Sequence, residues 1–97
     1  MELLKERAYH IAVDGDICEI SPVNEITFDL GEVQGWVEGY IEIIYLNEEQ
    51  IMIINENGKF SKRYNPIATG IAQLHAALAP SDYVCGNVVI CPSPMLP

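Results

Sequence analysis

The segment from Tyr40 to Ile54 restricts the fold more than any other. The run Tyr40-Ile41-Glu42-Ile43-Ile44-Tyr45-Leu46 is followed by the polar turn Asn47-Glu48-Glu49 and by a second apolar run from Gln50 to Ile54. β-Branched and aromatic side chains suit a pleated, half-buried surface, so two such runs joined by a short acidic turn predict a β-hairpin. An earlier hairpin is predicted where apolar Tyr9 to Val13 meets the turn signal Asp14-Gly15-Asp16 and then Ile17-Cys18-Glu19-Ile20. Pro22 interrupts that pattern. Between the hairpins, Asp29 and Glu32 form a D-x-x-E start signal, and Leu30, Val33 and Val37 recur at i, i+3 and i+7. This spacing predicts a short helix, which Gly39 ends.

Beyond the central hairpin, Asn57-Gly58 is the pair preferred in a tight type I′ turn, leading into Lys59-Phe60 as a short edge strand or loop. Asn65-Pro66 reads as an N-cap followed by proline at the first helical position. Ile67, Ile71, Leu74 and Leu78 continue as an amphipathic stripe that Pro80 closes. Tyr83 to Cys91 is predicted as the last strand, with Gly86 as a bulge. The order β-β-α-β-β-α-β implies an α+β fold: a single small domain over residues 1–91, with a mostly antiparallel sheet of about five strands and one short and one longer helix. Pro92 to Pro97 holds three prolines and reads as a Pro-rich C-terminal tail, residues 92–97.

The chain has 97 residues, 49% of them hydrophobic, with one Trp and five Tyr. That is enough for one core and too little for separate catalytic and substrate domains, since folding at this size buries roughly two-thirds of the chain's surface. The same composition argues against disorder. No stretch approaches the roughly 18 apolar residues of a membrane-spanning helix. The opening residues Met1-Glu2-Leu3-Leu4-Lys5-Glu6-Arg7 alternate acids and bases without a following apolar core, unlike a secretory signal. Cys18, Cys85 and Cys91 are odd in number, which suits reduced thiols and a cytoplasmic location.

The net charge of −9 is unevenly divided: residues 1–56 carry −11 and residues 57–97 carry +2. The acidic balance argues against general nucleic-acid binding and against adhesion to anionic membranes. The bases of the second half, Lys59, Lys62 and Arg63, stand just before the helix that Asn65-Pro66 should start, where free N–H groups favour an anion. Phe60 and Tyr64 are interleaved with them and offer faces for stacking. Lys59, Lys62, Arg63, Tyr64 and Asn65 are therefore the candidate site for a small anionic, nucleotide-type ligand. Without a phosphate loop such as G-x-x-x-x-G-K, the same residues also read as a solvated turn. The acids Glu38, Glu42, Glu48, Glu49 and Glu56 form a candidate interaction surface that would imitate a nucleic-acid backbone, or serve only solubility. Trp36 reads as core, or as an interaction hot spot if exposed beside Tyr40.

Catalytic signals are weak. A thiol enzyme needs a cysteine beside a base, and the two histidines are His10 and His75, the latter flanking the apolar stripe. Cys85 and Cys91, an even number of residues apart with Val89 between them, would share one face of a core strand. No zinc spacing occurs, and Asp14-Gly15-Asp16 with Glu19 lacks the ligand pattern of a calcium loop. No catalytic residue, metal or cofactor is expected.

Four segments in order resemble a known family: Val33-Gln34-Gly35-Trp36-Val37-Glu38-Gly39-Tyr40-Ile41-Glu42, then Asn55-Glu56-Asn57-Gly58-Lys59, then Asn65-Pro66-Ile67-Ala68-Thr69, then Gly86-Asn87-Val88-Val89. Together, over roughly residues 30–91, they resemble the family called domain of unknown function 3846. The family position before Gly39 is often another Gly, where this chain has Glu38, and the N-terminal segment carries no recognised motif. The resemblance implies small proteins of bacteria, phages and mobile elements, and no activity or catalytic residues. The expected function is a non-enzymatic accessory binding protein, in its sharp form a counter-defence protein that sequesters a nucleotide-type ligand, alone or across a homo-oligomer interface. The alternative is an acidic interaction module or nucleic-acid mimic that inhibits a host DNA-binding enzyme.

Overall fold

The computed structural model describes residues 3–97. Strands β1 (Ala8–Ile11), β2 (Ile17–Ile20), β3 (Ile41–Tyr45), β4 (Gln50–Asn55) and β5 (Val88–Pro92) form one antiparallel sheet in the order β2-β1-β5-β4-β3. Helices α1 (Leu30–Val37), α2 (Gly58–Ser61) and α3 (Pro66–Leu74) complete the α+β fold, with a 3-10 turn at Ser93–Met95.

The two central strands explain the architecture. Ile51 and Ile53 of β4 and Val89 and Cys91 of β5 pack with Phe28, Val33 and Val37 on the face that carries α1. The intervening Met52, Val88 and Ile90 pack with Ala68 and Ala72 of α3 on the other face. A strand covered on both faces reads as a continuous apolar run, which is what Ile51 to Ile54 and Val88 to Cys91 show. The edge strand β3 is less covered, with Glu42 and Tyr45 exposed, Ile41 and Ile43 half-buried and Ile44 buried.

The signals that start the helices hold, whereas α1 is closed by Glu38 in left-handed backbone, one residue before Gly39. Glu32 Oε1 accepts from the backbone N–H of Asp29 at 2.9 Å, and Glu32 Oε2 accepts from Val23 N–H at 2.9 Å, so this one carboxylate fixes the start of α1. Asn65 Oδ1 accepts from Ala68 N–H at 3.0 Å, with Pro66 opening α3.

Four expectations change. Asn57-Gly58 does not form a type I′ turn: that turn needs positive φ at both residues, Asn57 has φ −108°, and Gly58 opens α2. Lys59 and Phe60 are therefore helical. The stripe through Leu74 and Leu78 fails because α3 stops at Leu74, where Ala76 takes φ 54° and Ala77 N–H bonds to Ala72 O at 2.8 Å. Leu74 is left 85% exposed, and the buried residues of the helix are Ala68, Thr69 and Ala72. The last strand begins at Val88 because Gly86, with φ 93°, turns the chain; Cys85 lies outside the strand in a single bridge to Tyr64. Finally, the Pro-rich end is anchored: Pro92 closes β5, Met95 O accepts from Phe28 N–H at 2.7 Å, and Met95 and Leu96 pack against the α1-side core.

Candidate functional site

A cleft of about 510 Å³ opens on the α3 side of the sheet, at its β3 edge. Four consecutive residues of β3, Glu42 to Tyr45, form one wall with Ile54 of β4; Lys59 and Phe60 of α2 and Leu78, Asp82 and Tyr83 from the loop after α3 form the other. Early termination of α3 creates the second wall. Gln73 Nε2 donates to Pro80 O at 3.3 Å and Asp82 O at 3.2 Å, folding the loop back along its own helix. Thr69 Oγ1 accepts from Val84 N–H at 2.9 Å and holds the loop's far end. Leu78 thereby turns toward the cleft while still packing on the α3-side core.

The cleft's electrostatics are set by one closed pair and two free acids. Lys59 Nζ bonds to Asp82 Oδ1 and lies 4.8 Å from the centre of the Tyr83 ring. The hydrogen bond to Asp82 pushes the Lys59 ammonium above its ordinary pKa. Reciprocally, the Lys59 bond, aided by Tyr83 N–H, holds the Asp82 carboxyl below the usual carboxylate range. Glu42 and Glu56 are exposed and make no ion pair among the described residues. Glu42 stands opposite Ile54, and Glu56 is two residues further along that face, so the carboxylates are diagonal neighbours across the hairpin. Three carboxylates thus meet one ammonium over an apolar floor of Ile44, Ile54 and Leu78.

The predicted basic set is not assembled into one site. Lys59 points into this cleft and is neutralised by Asp82. Lys62 bonds to Glu38 at 3.1 Å and, with Arg63 and Asn87, lines a separate shallow hollow of about 220 Å³. Arg63 is exposed and makes no ion pair among the described residues. Tyr64 is half exposed and meets Tyr83 edge-on at 6.2 Å. Asn65 is fully buried: besides capping α3, its Nδ2 donates to Ile11 O at 3.1 Å and to Gly86 O at 2.9 Å. Each of these three side-chain hydrogen bonds serves the fold.

The acidic set is divided as well. Glu42 and Glu56 flank the cleft, Glu38 holds Lys62, and Glu48 and Glu49 sit in the β3–β4 turn, beside another hollow lined by Ile26 and Met95. Trp36 is 38% exposed and its ring lies 4.7 Å from that of His10, so it is neither core nor fully free. Among the described residues, no group of three His, Cys, Asp or Glu side chains is placed to hold a metal ion, and no helix is long and apolar enough to cross a membrane.

Asp82, Tyr83 and Leu78 escape a reading of the sequence. One signal for Asp82 exists: it is the single acid of residues 57–97, in a stretch whose three bases need counter-charge.

A family described as Domain of unknown function (DUF3846) matches residues 7–94. The chain belongs to the DUF3846 family. The match extends beyond the segments that carry the resemblance and takes in the N-terminal hairpin, so all five strands and three helices lie within the DUF3846 region. No curated protein and no solved structure matches the chain. Glu38, at the position where the resemblance implies that Gly often stands, has φ 63° and ψ 41°, backbone that glycine adopts without steric cost.

Proposed function

We propose that this DUF3846 protein is a non-enzymatic accessory binding protein, working in the cytoplasm for a phage-like or mobile element, that holds a cationic segment of a host protein in the cleft beside β3. One observation carries the reading: Glu42 and Glu56 stand free over an apolar floor, while the cleft's single ammonium is already matched by Asp82. A lysine or arginine side chain suits such a surface, since its aliphatic stem lies on Ile44 and Leu78 and its charged head reaches the carboxylates. Phe60, 89% exposed, and Tyr83 add aromatic faces for the same cation.

This favours the acidic interaction module over the nucleotide-binding reading, which keeps only Arg63 as a base without an ion-pair partner among the described residues. The two separate in one titration. A Lys-rich peptide should shift the NMR signals of Glu42, Glu56, Phe60 and Tyr83, and added salt should weaken it. Shifts produced instead by nucleotides, centred on Arg63 and Asn87, would transfer the function to the other hollow.

A further inference from the structure

The open backbone of β3 borders the cleft directly. Glu56 N–H donates to Tyr40 O at 2.9 Å and Leu46 N–H to Gln50 O at 3.1 Å, which places the hydrogen-bonded pairs of the β3–β4 ladder at Tyr40, Glu42, Ile44 and Leu46. Alternate residues of an antiparallel strand turn their N–H and C=O to the opposite side. Ile41, Ile43 and Tyr45 therefore aim their backbone groups away from β4, where β3 has no neighbouring strand.

We infer that the cleft takes its cationic segment in extended form, as a sixth strand added antiparallel or parallel to β3. This rests on the cationic-segment reading and goes further, by naming the backbone conformation of the partner and the groups that read it. Ladder bonds to Ile41, Ile43 and Tyr45 supply sequence-independent binding, and alternate side chains of the added strand face the cleft. Those side chains meet Glu42, Ile44, Phe60 and Leu78, which select Lys or Arg. The other side chains lie beside Ile41 and Ile43, which are only partly buried on the α1 face.

A competing occupant and a competing edge fit less well. In a β3–β3 pairing between two copies centred on Ile43, Glu42 would lie diagonal to its own counterpart, in a chain of net charge −9. The opposite edge, β2, has four residues, is followed by Pro22, and runs beside the Arg7–Glu19 ion pair rather than an apolar cleft. Charge placed on an edge strand also discourages self-association while leaving a partner of opposite sign free to pair.

The test is amide hydrogen exchange of the full chain with an end-capped peptide alternating Lys and Val. Fast exchange at Ile41, Ile43 and Tyr45 in the free protein should slow on binding. The same peptide N-methylated at every second residue should lose at least about tenfold in affinity, as should the parent peptide against Glu42→Lys. A peptide alternating Glu and Val should not bind. Binding at Glu42 and Glu56 with no protection of the three amides would overturn the added strand and leave the cationic-segment reading standing. Absence of binding would overturn both. Protection of the three amides before any peptide is added, in a dimer by sedimentation, would assign the edge to a second copy and overturn the proposal.

Discussion

Glu38 Oε1 accepts from Lys62 Nζ at 3.1 Å, and the residue making this contact stands in left-handed backbone at the end of α1, with φ 63°. Both Glu38 N–H and Gly39 N–H donate to Gln34 O, so the conformation at Glu38 closes the helix. One side chain thus joins three features that are separate in the sequence: the position where the resemblance implies a glycine, the helix end and the loss of Lys62 from the basic set. The ion pair is partly exposed and contributes little, whereas left-handed backbone disfavours any residue with a Cβ. Glu38→Gly and Glu38→Ala both remove the ion pair and differ in the backbone. Urea denaturation should find the glycine variant more stable than the alanine variant by about 1 kcal/mol. Equal stabilities would contradict the backbone account.

Asn65 ties three places together through one amide: the start of α3, the end of β1 at Ile11 and the turn at Gly86. Asn65→Ala should cost about 3 kcal/mol, combining the lost cap with two carbonyls left without their donor. Asn65→Asp keeps the acceptor for Ala68 N–H but buries a charge and removes both donor bonds, so it should not rescue the loss. A nucleotide-binding role would instead leave stability intact and remove binding.

Legibility of the chain followed the range of the forces involved. The two hairpins, the D-x-x-E start of α1 and the Asn65-Pro66 start of α3 are written in neighbouring residues, and all appear where the pattern places them. What was not legible depends on contacts between distant segments. Gly58 looks like a turn glycine, yet it sits where a Cβ would lie 2.4 Å from Cys85 O, a residue 27 positions away. The end of α3 is set by Ala76 and by Gln73 reaching to Pro80 and Asp82, not by the apolar period that runs on to Leu78. The candidate site suffered most: Lys59, Lys62 and Arg63 lie within five residues of sequence, but α2 and the strand-like turn after it send Lys59 to the cleft and the other two to a separate hollow.

The glycines offer a paired test of that close approach. Gly58→Ala drives a methyl group into the Cys85 carbonyl and should cost about 2 kcal/mol or more, since the obstacle is backbone. Gly70 lies inside α3 with nothing within 4 Å of a Cβ. Gly70→Ala should therefore stabilise the protein by about 0.5–1 kcal/mol through its helix propensity. Thermal denaturation of the two variants should move Tm in opposite directions, and a harmless Gly58→Ala would refute the packing described between α2 and the Tyr83–Gly86 segment.

The acid limb of the stability profile should report the cleft. Asp82 has its carboxyl held below the usual range by the Lys59 bond, so the pair's contribution is present above the ordinary carboxylate pKa and disappears as pH falls through the lowered one. Asp82→Asn should therefore be slightly less stable than the parent protein near neutrality, where the pair contributes, and should flatten the acid limb so that the two proteins converge at low pH. An unchanged acid limb in Asp82→Asn would remove Lys59–Asp82 as an ordering contact of the cleft.

The thiols should separate by burial. Cys18 is exposed on β2, whereas Cys91 is buried in the α1-side core and its pKa is pushed up from 9.0 to about 12 by desolvation. A raised thiol pKa contributes fully below the unfolded value and is lost as pH climbs from 9.0 toward about 12, because the unfolded chain ionises first. Iodoacetamide at about pH 8 should thus alkylate Cys18 rapidly and leave Cys91 untouched until the chain unfolds. Cys91→Ser puts a hydroxyl among Val33, Ile53 and Val89, and should cost about 1–3 kcal/mol. Rapid alkylation of Cys91 in the native protein, measured by peptide mass spectrometry, would mean that the α1-side core opens far more readily than its packing implies.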